Sequence, residues 1–274
     1  MYKHRYIEDE IRSVARAFKV VLVVGPRQVG KTTLLKNLFP TYPIVTFNPI
    51  HSEQEARKDP ELFLRQFAGP VILDEVQFAP ELLAYIKINV DKSDAPGQYF
   101  LTGSQNLSVL KSVAESLAGR VAIVELSPMM ALELTSSFTI TESGVTPRHW
   151  LENYLANPAS IREKAHGLIP DLTVTQAIWR GGYPGLLTVD DRHISRYFAG
   201  YFNTYVERDV RTQAEIEQLM KFEDFVALLA AISAQEINYS ELGREIAASG
   251  KTAQRWLALL RATYMWRDVR PFVG

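Results

Sequence analysis

The 274-residue sequence contains no cysteine. That absence removes disulfides, zinc–cysteine sites, iron–sulfur clusters and thiol nucleophiles together, and it fits a reducing compartment. An excess of one charge is missing too: 30 Lys and Arg stand against 31 Asp and Glu, a formal net charge of −1. A chain-wide basic footprint for nucleic acid is excluded, while a local patch is not. No apolar run approaches the roughly 20 residues that cross a bilayer. The opening MYKHRYIEDEIRSVARAF lacks the apolar centre of a signal peptide. The chain therefore reads as cytoplasmic, with no membrane partner. His4, His51, His149, His166 and His193 show no close metal-ligand spacing. What is present is ordinary for a globular protein, 47% apolar and 22% charged, and the length predicts roughly two domains.

Residues 7–18 carry apolar side chains at helical spacing. Val20-Val21-Leu22-Val23-Val24 follows, a β-branched run with no polar alternation, which reads as a strand buried on both faces of a parallel sheet. The alternation continues with a helix over 31–39 and a strand over 44–47, then a helix over 53–67 and a strand over 71–73. A helix over 81–90, a strand over 99–101, a helix over 107–117 and a strand over 121–126 complete it. Strands alternating with helices predict a doubly wound α/β parallel sheet over about 1–134. Residues 135–147 read as a linker. From 149 onward helices dominate, including an aromatic-rich one over 194–211 and a helix over 222–234. Two short helices over 239–248 and 251–262, broken at Ser249-Gly250, and an extended stretch over 264–272 close the chain.

Gly25-Pro26-Arg27-Gln28-Val29-Gly30-Lys31-Thr32 matches G-x-x-x-x-G-K-[ST] in full, directly after a buried strand and opening a helix. Glycines let the backbone wrap a phosphate with its N–H groups turned inward. The helix N-terminus adds positive potential. Lys31 is placed to reach the β- and γ-phosphates and Thr32 to offer a hydroxyl to Mg²⁺, with Thr33 beside it. Val71-Ile72-Leu73-Asp74-Glu75 supplies the second half of such a site. Asp74 at the strand end suits Mg²⁺, and Glu75 suits a base that polarises water. Leu101-Thr102-Gly103-Ser104 ends a strand expected between those two. The hydroxyls of that tip, Ser104 among them, either contact the γ-phosphate or the water, or close a hydroxyl-rich turn. Nothing matches the Asn-Lys-x-Asp that reads guanine, since Asn89-Val90-Asp91-Lys92 has the order wrong. ATP is the expected nucleotide.

GPRQVGKTTLL, ILDEVQFAPELL, FLTGSQ, ESLAGRV, ELSPM, GGYP and TYVERDV together resemble the prokaryotic AAA-type ATPases that carry an AAA_14 domain, usually followed by a DUF4143 domain. The resemblance runs from about Arg5 to the end. It implies a P-loop core of the additional-strand class over 1–134, a helical lid over 148–216 and a winged-helix-like region over 217–274. It also implies a further nuclease-like domain, which is missing before Gly274; the chain is read as truncated or as a variant lacking it. The activity implied is Mg²⁺-dependent ATP hydrolysis coupled to an inter-domain change. The alternatives are a nucleotide-gated DNA-binding module or signalling switch with little turnover, and a scaffold that does not turn over.

Three more residues gain roles from the resemblance. Arg120 in LAGRV is similar in position to an arginine finger acting on a neighbouring subunit of a homo-oligomer; otherwise it complements a helix dipole. Gly182-Tyr183-Pro184 looks like the turn that touches the base, or else is a plain interhelix turn. Arg208 looks like a lid arginine that reaches the γ-phosphate, or else forms a salt bridge with a partner other than Glu207 and Asp209, since helix neighbours one apart do not face each other. From Arg244 on, Arg244, Lys251, Arg255, Arg261, Arg267 and Arg270 stand against Glu245 and Asp268, which permits DNA contact. Packing alone is the other reading. A helix capped by Ser240, and KTAQRWLALL as recognition helix, are expected there.

Overall fold

The computed structural model describes residues 2–47, 52–67, 69–104, 113, 116–131, 133–134, 147–159, 172–206, 210 and 219–269. They fall into two compact units, divided between Asp191 and Arg192. That division lies inside the 148–216 segment expected to form one lid.

The first unit is built on five parallel strands: β1 (Val20–Val24), β2 (Ile44–Thr46), β3 (Val71–Asp74), β4 (Tyr99–Gly103) and β5 (Val121–Glu125). Their order is β2-β3-β4-β1-β5, so β4 lies between the phosphate-loop strand and the Asp74 strand, as the additional-strand class requires. Every residue of β1, β3 and β4 is buried, which explains why these strands read as unbroken apolar runs. Edge strand β5 alternates instead, with Ala122 and Val124 buried and Ile123 and Glu125 exposed.

Helices α1 (Glu8–Ala17), α2 (Lys31–Leu38), α3 (Ser52–Lys58), α4 (Pro60–Arg65) and α5 (Leu82–Asp91) join the strands. Ile11 of α1 with Leu34, Leu35 and Leu38 of α2 seals one face of the sheet against Val21, Val23 and Ile72. Side chains of this kind contribute about 1.5–3 kcal/mol each when fully buried. The single helix expected over 53–67 is two. Pro60 opens α4, and the Asp59 carboxylate caps it by accepting from Leu62 N–H at 2.9 Å; proline has no N–H to continue the preceding turn. The helix expected over 107–117 lies mostly outside the described residues. Further on, α6 spans Pro147–Ala156 and α7 spans Val174–Arg180. A reciprocal capping box between Thr173 and Gln176 opens α7.

The second unit carries α8 (Ile194–Tyr205), α9 (Leu219–Ala231), α10 (Tyr239–Glu245) and α11 (Gly250–Ala262). Phe222 and Phe225 of α9 each meet Trp256 of α11 with ring centroids 5.6 Å apart, edge-on as aromatic quadrupoles prefer. The cap of α10 is Asn238 rather than Ser240: its side-chain oxygen accepts from Ser240 and Glu241 N–H. Asn238 has extended backbone while Ser240 is already helical, and a cap must stand outside the helix. Ser249 caps α11. A Cβ on Gly243 would lie 2.7 Å from the Ser249 carbonyl carbon, so this helix–turn–helix closes too tightly for any side chain there. Among the described residues no strand follows Glu125.

Candidate functional site: the carboxyl edge of the sheet

In a parallel sheet the strands' carboxyl ends converge on one edge, where ligands bind. Here β1, β3 and β4 deliver Gly25, Asp74 and Ser104 to that edge. The loop Gly25–Gly30 needs its glycines. Gly25 has φ +145°, and a Cβ there would lie 2.2 Å from the Leu126 carbonyl oxygen. Gly30, at φ +92°, is the left-handed residue from which α2 begins. Gln28 also has positive φ, at 62°. Between them, Val29 is fully buried and pins the loop to the core. Arg27 and Gln28 lie on the loop, and Thr33 follows Thr32 in the first turn of α2.

Lys31 is buried, and its ammonium donates to the Gly25 carbonyl at 2.9 Å and the Pro26 carbonyl at 2.7 Å. The cation is thus held against its own loop, in reach of whatever the loop wraps. Asp74 is buried too, and three hydroxyls donate to its carboxylate: Thr32 and Thr102 to Oδ1, both at 2.6 Å, and Thr46 to Oδ2 at 3.2 Å. A buried carboxylate needs such donors to offset lost hydration. The Thr32 hydroxyl and the Asp74 carboxylate offer hard oxygen ligands in contact with each other. Mg²⁺ uses one or two carboxylates with water and substrate phosphates. These residues therefore fit the ion, which would neutralise charge on the phosphates they hold.

Glu75 adopts a left-handed conformation, φ 59° and ψ 48°, a strained position for a residue with a Cβ. Its backbone N–H donates to Thr102 Oγ1 at 3.0 Å. Its carboxylate accepts from Ser104 Oγ at 3.0 Å and from the amide of Gln77. Thr102, fully buried, therefore ties the metal-type aspartate to the backbone of the adjacent glutamate. The site brings together Lys31, Thr32, Asp74, Glu75 and Ser104, all named from sequence.

Pro184 also belongs to this edge. Its Cγ lies 3.7 Å from where a Cβ on Gly30 would stand. The turn carrying it is anchored by Met129 N–H donating to the Gly182 carbonyl at 2.7 Å. A Cβ on Gly182 would stand 2.2 Å from the Met129 oxygen, so only glycine lets the turn sit so close. Arg120 sits at the other edge. Its carbonyl accepts from Val20 N–H at the start of β1. Its guanidinium grips Asp91 through Nε to Oδ1 at 2.5 Å and Nη2 to Oδ2 at 3.0 Å. That hydrogen bond holds the Asp91 carboxyl below the usual carboxylate range and raises the Arg120 guanidinium. Arg208 and Arg270 lie outside the described residues.

Sequence reasoning missed three participants, and it named Thr102 only as part of a hydroxyl-bearing strand tip. Thr46 is a hydroxyl closing an otherwise apolar strand, a signal that was available. Gln77 gave no signal by itself. Arg5 is buried and donates to the Val29 carbonyl at 2.9 Å, the Ser127 carbonyl at 2.7 Å and Glu133 at 3.1 Å. It braces the phosphate loop from behind.

Residues 17–135 match the AAA domain family, and residues 172–274 match a domain of unknown function, DUF8612. Uncharacterized proteins of Mycobacterium tuberculosis and Mycobacterium bovis are each 29% identical over 276 aligned residues, 99% of this chain and 54% of theirs. The chain thus spans about half the length of these curated relatives. Among solved structures, the Walker-type ATPase of Pyrococcus abyssi matches with a TM-score of 0.55 and 15% identity, over 96% of this chain and 90% of that one. That likeness is one of fold. With the sheet order, the phosphate loop and the match over residues 17–135, the first unit has a P-loop NTPase fold, and its residues 17–135 match the AAA domain family.

Proposed function

We propose that the protein binds Mg-ATP at the carboxyl edge of its sheet and hydrolyses it. The observation that supports this best is the 2.6 Å bond between Thr32 on α2 and Asp74 on β3, which joins the two halves of a nucleotide site from separate segments. Lys31 and the loop amides bind phosphates, Thr32 and Asp74 hold Mg²⁺, and Glu75 polarises the attacking water. Pro184, beside Gly30, contacts the nucleotide and passes its occupancy to the lid as an inter-domain change, to which Arg208 contributes. Mg-ATP should raise Tm, since a ligand at a hundredfold excess over Kd stabilises by about 2.7 kcal/mol. Lys31→Ala should remove most of that shift. A full shift in Lys31→Ala contradicts the assignment.

Arg120, at the amino edge, can meet a nucleotide only on another copy of this chain. If it acts there, Arg120→Ala and Glu75→Gln are each inactive alone and recover activity on mixing. Absence of recovery removes the oligomer reading.

A second reading, a nucleotide-gated DNA-binding module, is favoured by one face of α11. Lys251, Gln254, Arg255 and Ala258 are all exposed there, at i, i+3, i+4 and i+7. DNA affinity should fall with salt at a slope of about −0.9 per phosphate contacted and weaken in Arg255→Ala. No binding at low salt leaves the packing role.

A further inference from the structure

Glu75, Gln77 and Ser104 form a closed triangle of side chains. Ser104 Oγ donates to Glu75 Oε2 at 3.0 Å, Gln77 Nε2 donates to the same oxygen, and Gln77 Nε2 also reaches Ser104 Oγ at 3.3 Å. A carboxylate acceptor fixes which way a glutamine amide faces, because the reverse orientation would set oxygen against oxygen. The amide's other end, Gln77 Oε1, is then buried with no hydrogen-bond partner among the described residues. A buried amide oxygen without a donor carries a desolvation penalty, and such groups call for a reason.

The backbone makes this arrangement rigid. Gln77 lies in the short 3₁₀ turn Val76–Phe78, which opens from left-handed Glu75 and is closed by Phe78 N–H donating to the Glu75 carbonyl at 3.1 Å. Val76 and Ala79 on either side are buried. The amide nitrogen is therefore held beside the candidate base, with the orphan oxygen as the cost of that orientation.

A base must be held in one orientation to take a proton from the attacking water. Resting on the ATPase reading above, we propose that Gln77 is a positioning residue for the reaction: its Nε2 holds the Glu75 carboxylate against Ser104 Oγ, so that Glu75 keeps one orientation toward the attacking water. As the water oxygen bonds to the γ-phosphorus, the bond from that phosphorus to the β,γ-bridging oxygen breaks. The bridging electron pair leaves with ADP, and the proton passes to Glu75 and then to solvent.

The test compares the whole chain as wild type, Gln77→Leu, Gln77→Glu and Glu75→Gln, measuring Mg-ATP turnover and the Mg-ATP shift in Tm. Gln77→Leu keeps the bulk and loses both amide functions. Its kcat should fall at least about tenfold, with KM and the Tm shift unchanged. Gln77→Glu should also be slow near pH 8 but regain activity relative to wild type as pH falls, because the neighbouring Glu75 carboxylate favours the protonated form and a protonated carboxyl donates as the amide does. This variant keeps the polar chain and decides the matter if Gln77→Leu does not fold. Gln77→Leu turning over within about twofold of wild type, with Glu75→Gln inactive, overturns the role of Gln77 and leaves the ATPase reading standing. Gln77→Leu losing the Tm shift along with turnover marks a merely structural residue and overturns it as well. A wild type without turnover, or Glu75→Gln as fast as wild type, overturns both.

Discussion

The two edges of the sheet treat polar groups in opposite ways. At the carboxyl edge Lys31, Asp74, Thr102 and Ser104 are buried, and each is hydrogen-bonded within a network spanning β3, β4 and the phosphate loop. At the amino edge Arg120 and Asp91 form one ion pair, 33% and 45% exposed. A sheet needs no buried charge to fold, and desolvating one is costly. The sealed network is therefore the mark of a site, and the exposed pair is what a surface carries when stability alone is at stake, unless another copy of the chain meets it.

That contrast can be broken most forcefully at Arg5. Arg5→Ala leaves the 3%-exposed Glu133 carboxylate without its cation, and breaking a buried pair costs about 3–5 kcal/mol. Denaturant titration should show this loss; one below about 1 kcal/mol would place Arg5 with the surface pairs. Next comes Thr102→Val, which keeps shape and removes the hydroxyl shared by Asp74 and the Glu75 N–H. Stability should fall by about 1–3 kcal/mol and turnover with it. Unchanged turnover would detach Thr102 from the site. The smallest effect belongs to Asp91→Asn. Because Arg120 lowers the Asp91 pKa, the pair's contribution is present above the usual aspartate value and is lost as pH falls through the lowered one. The wild-type advantage in Tm should be slight at neutral pH, weaken with salt and vanish in acid. An Asp91→Asn loss as large as that of Thr102→Val erases the distinction between the edges.

Much of this architecture was legible in the chain. The runs Val20–Val24 and Val71–Leu73 announce strands buried on both faces because nothing polar interrupts them, and the phosphate loop follows the first directly. Lys31, Thr32, Asp74 and Glu75 were readable because their types and spacing are set by phosphate chemistry. Thr46 and Thr102 were harder, since their roles depend on which strands become neighbours. Arg5 and Glu133 are separated by 128 positions, and no local pattern joins them. Gln77 depends on the left-handed turn at Glu75, a backbone choice that no residue-type rule foretells for glutamate. Asn238 displaced Ser240 as the cap of α10 because both are good caps, and only the backbone decides which stands outside the helix.

Glu75, in the proposed reading, works as a base on water within a site that binds Mg-ATP. Steady-state Mg-ATP turnover of Glu75→Gln beside wild type, with the Mg-ATP Tm shift measured on the same samples, tests it most directly. The substitution keeps size and hydrogen-bonding reach and removes the base. The Tm shift should be unchanged and turnover lower by roughly 10²-fold or more; turnover equal to wild type contradicts Glu75 as the base.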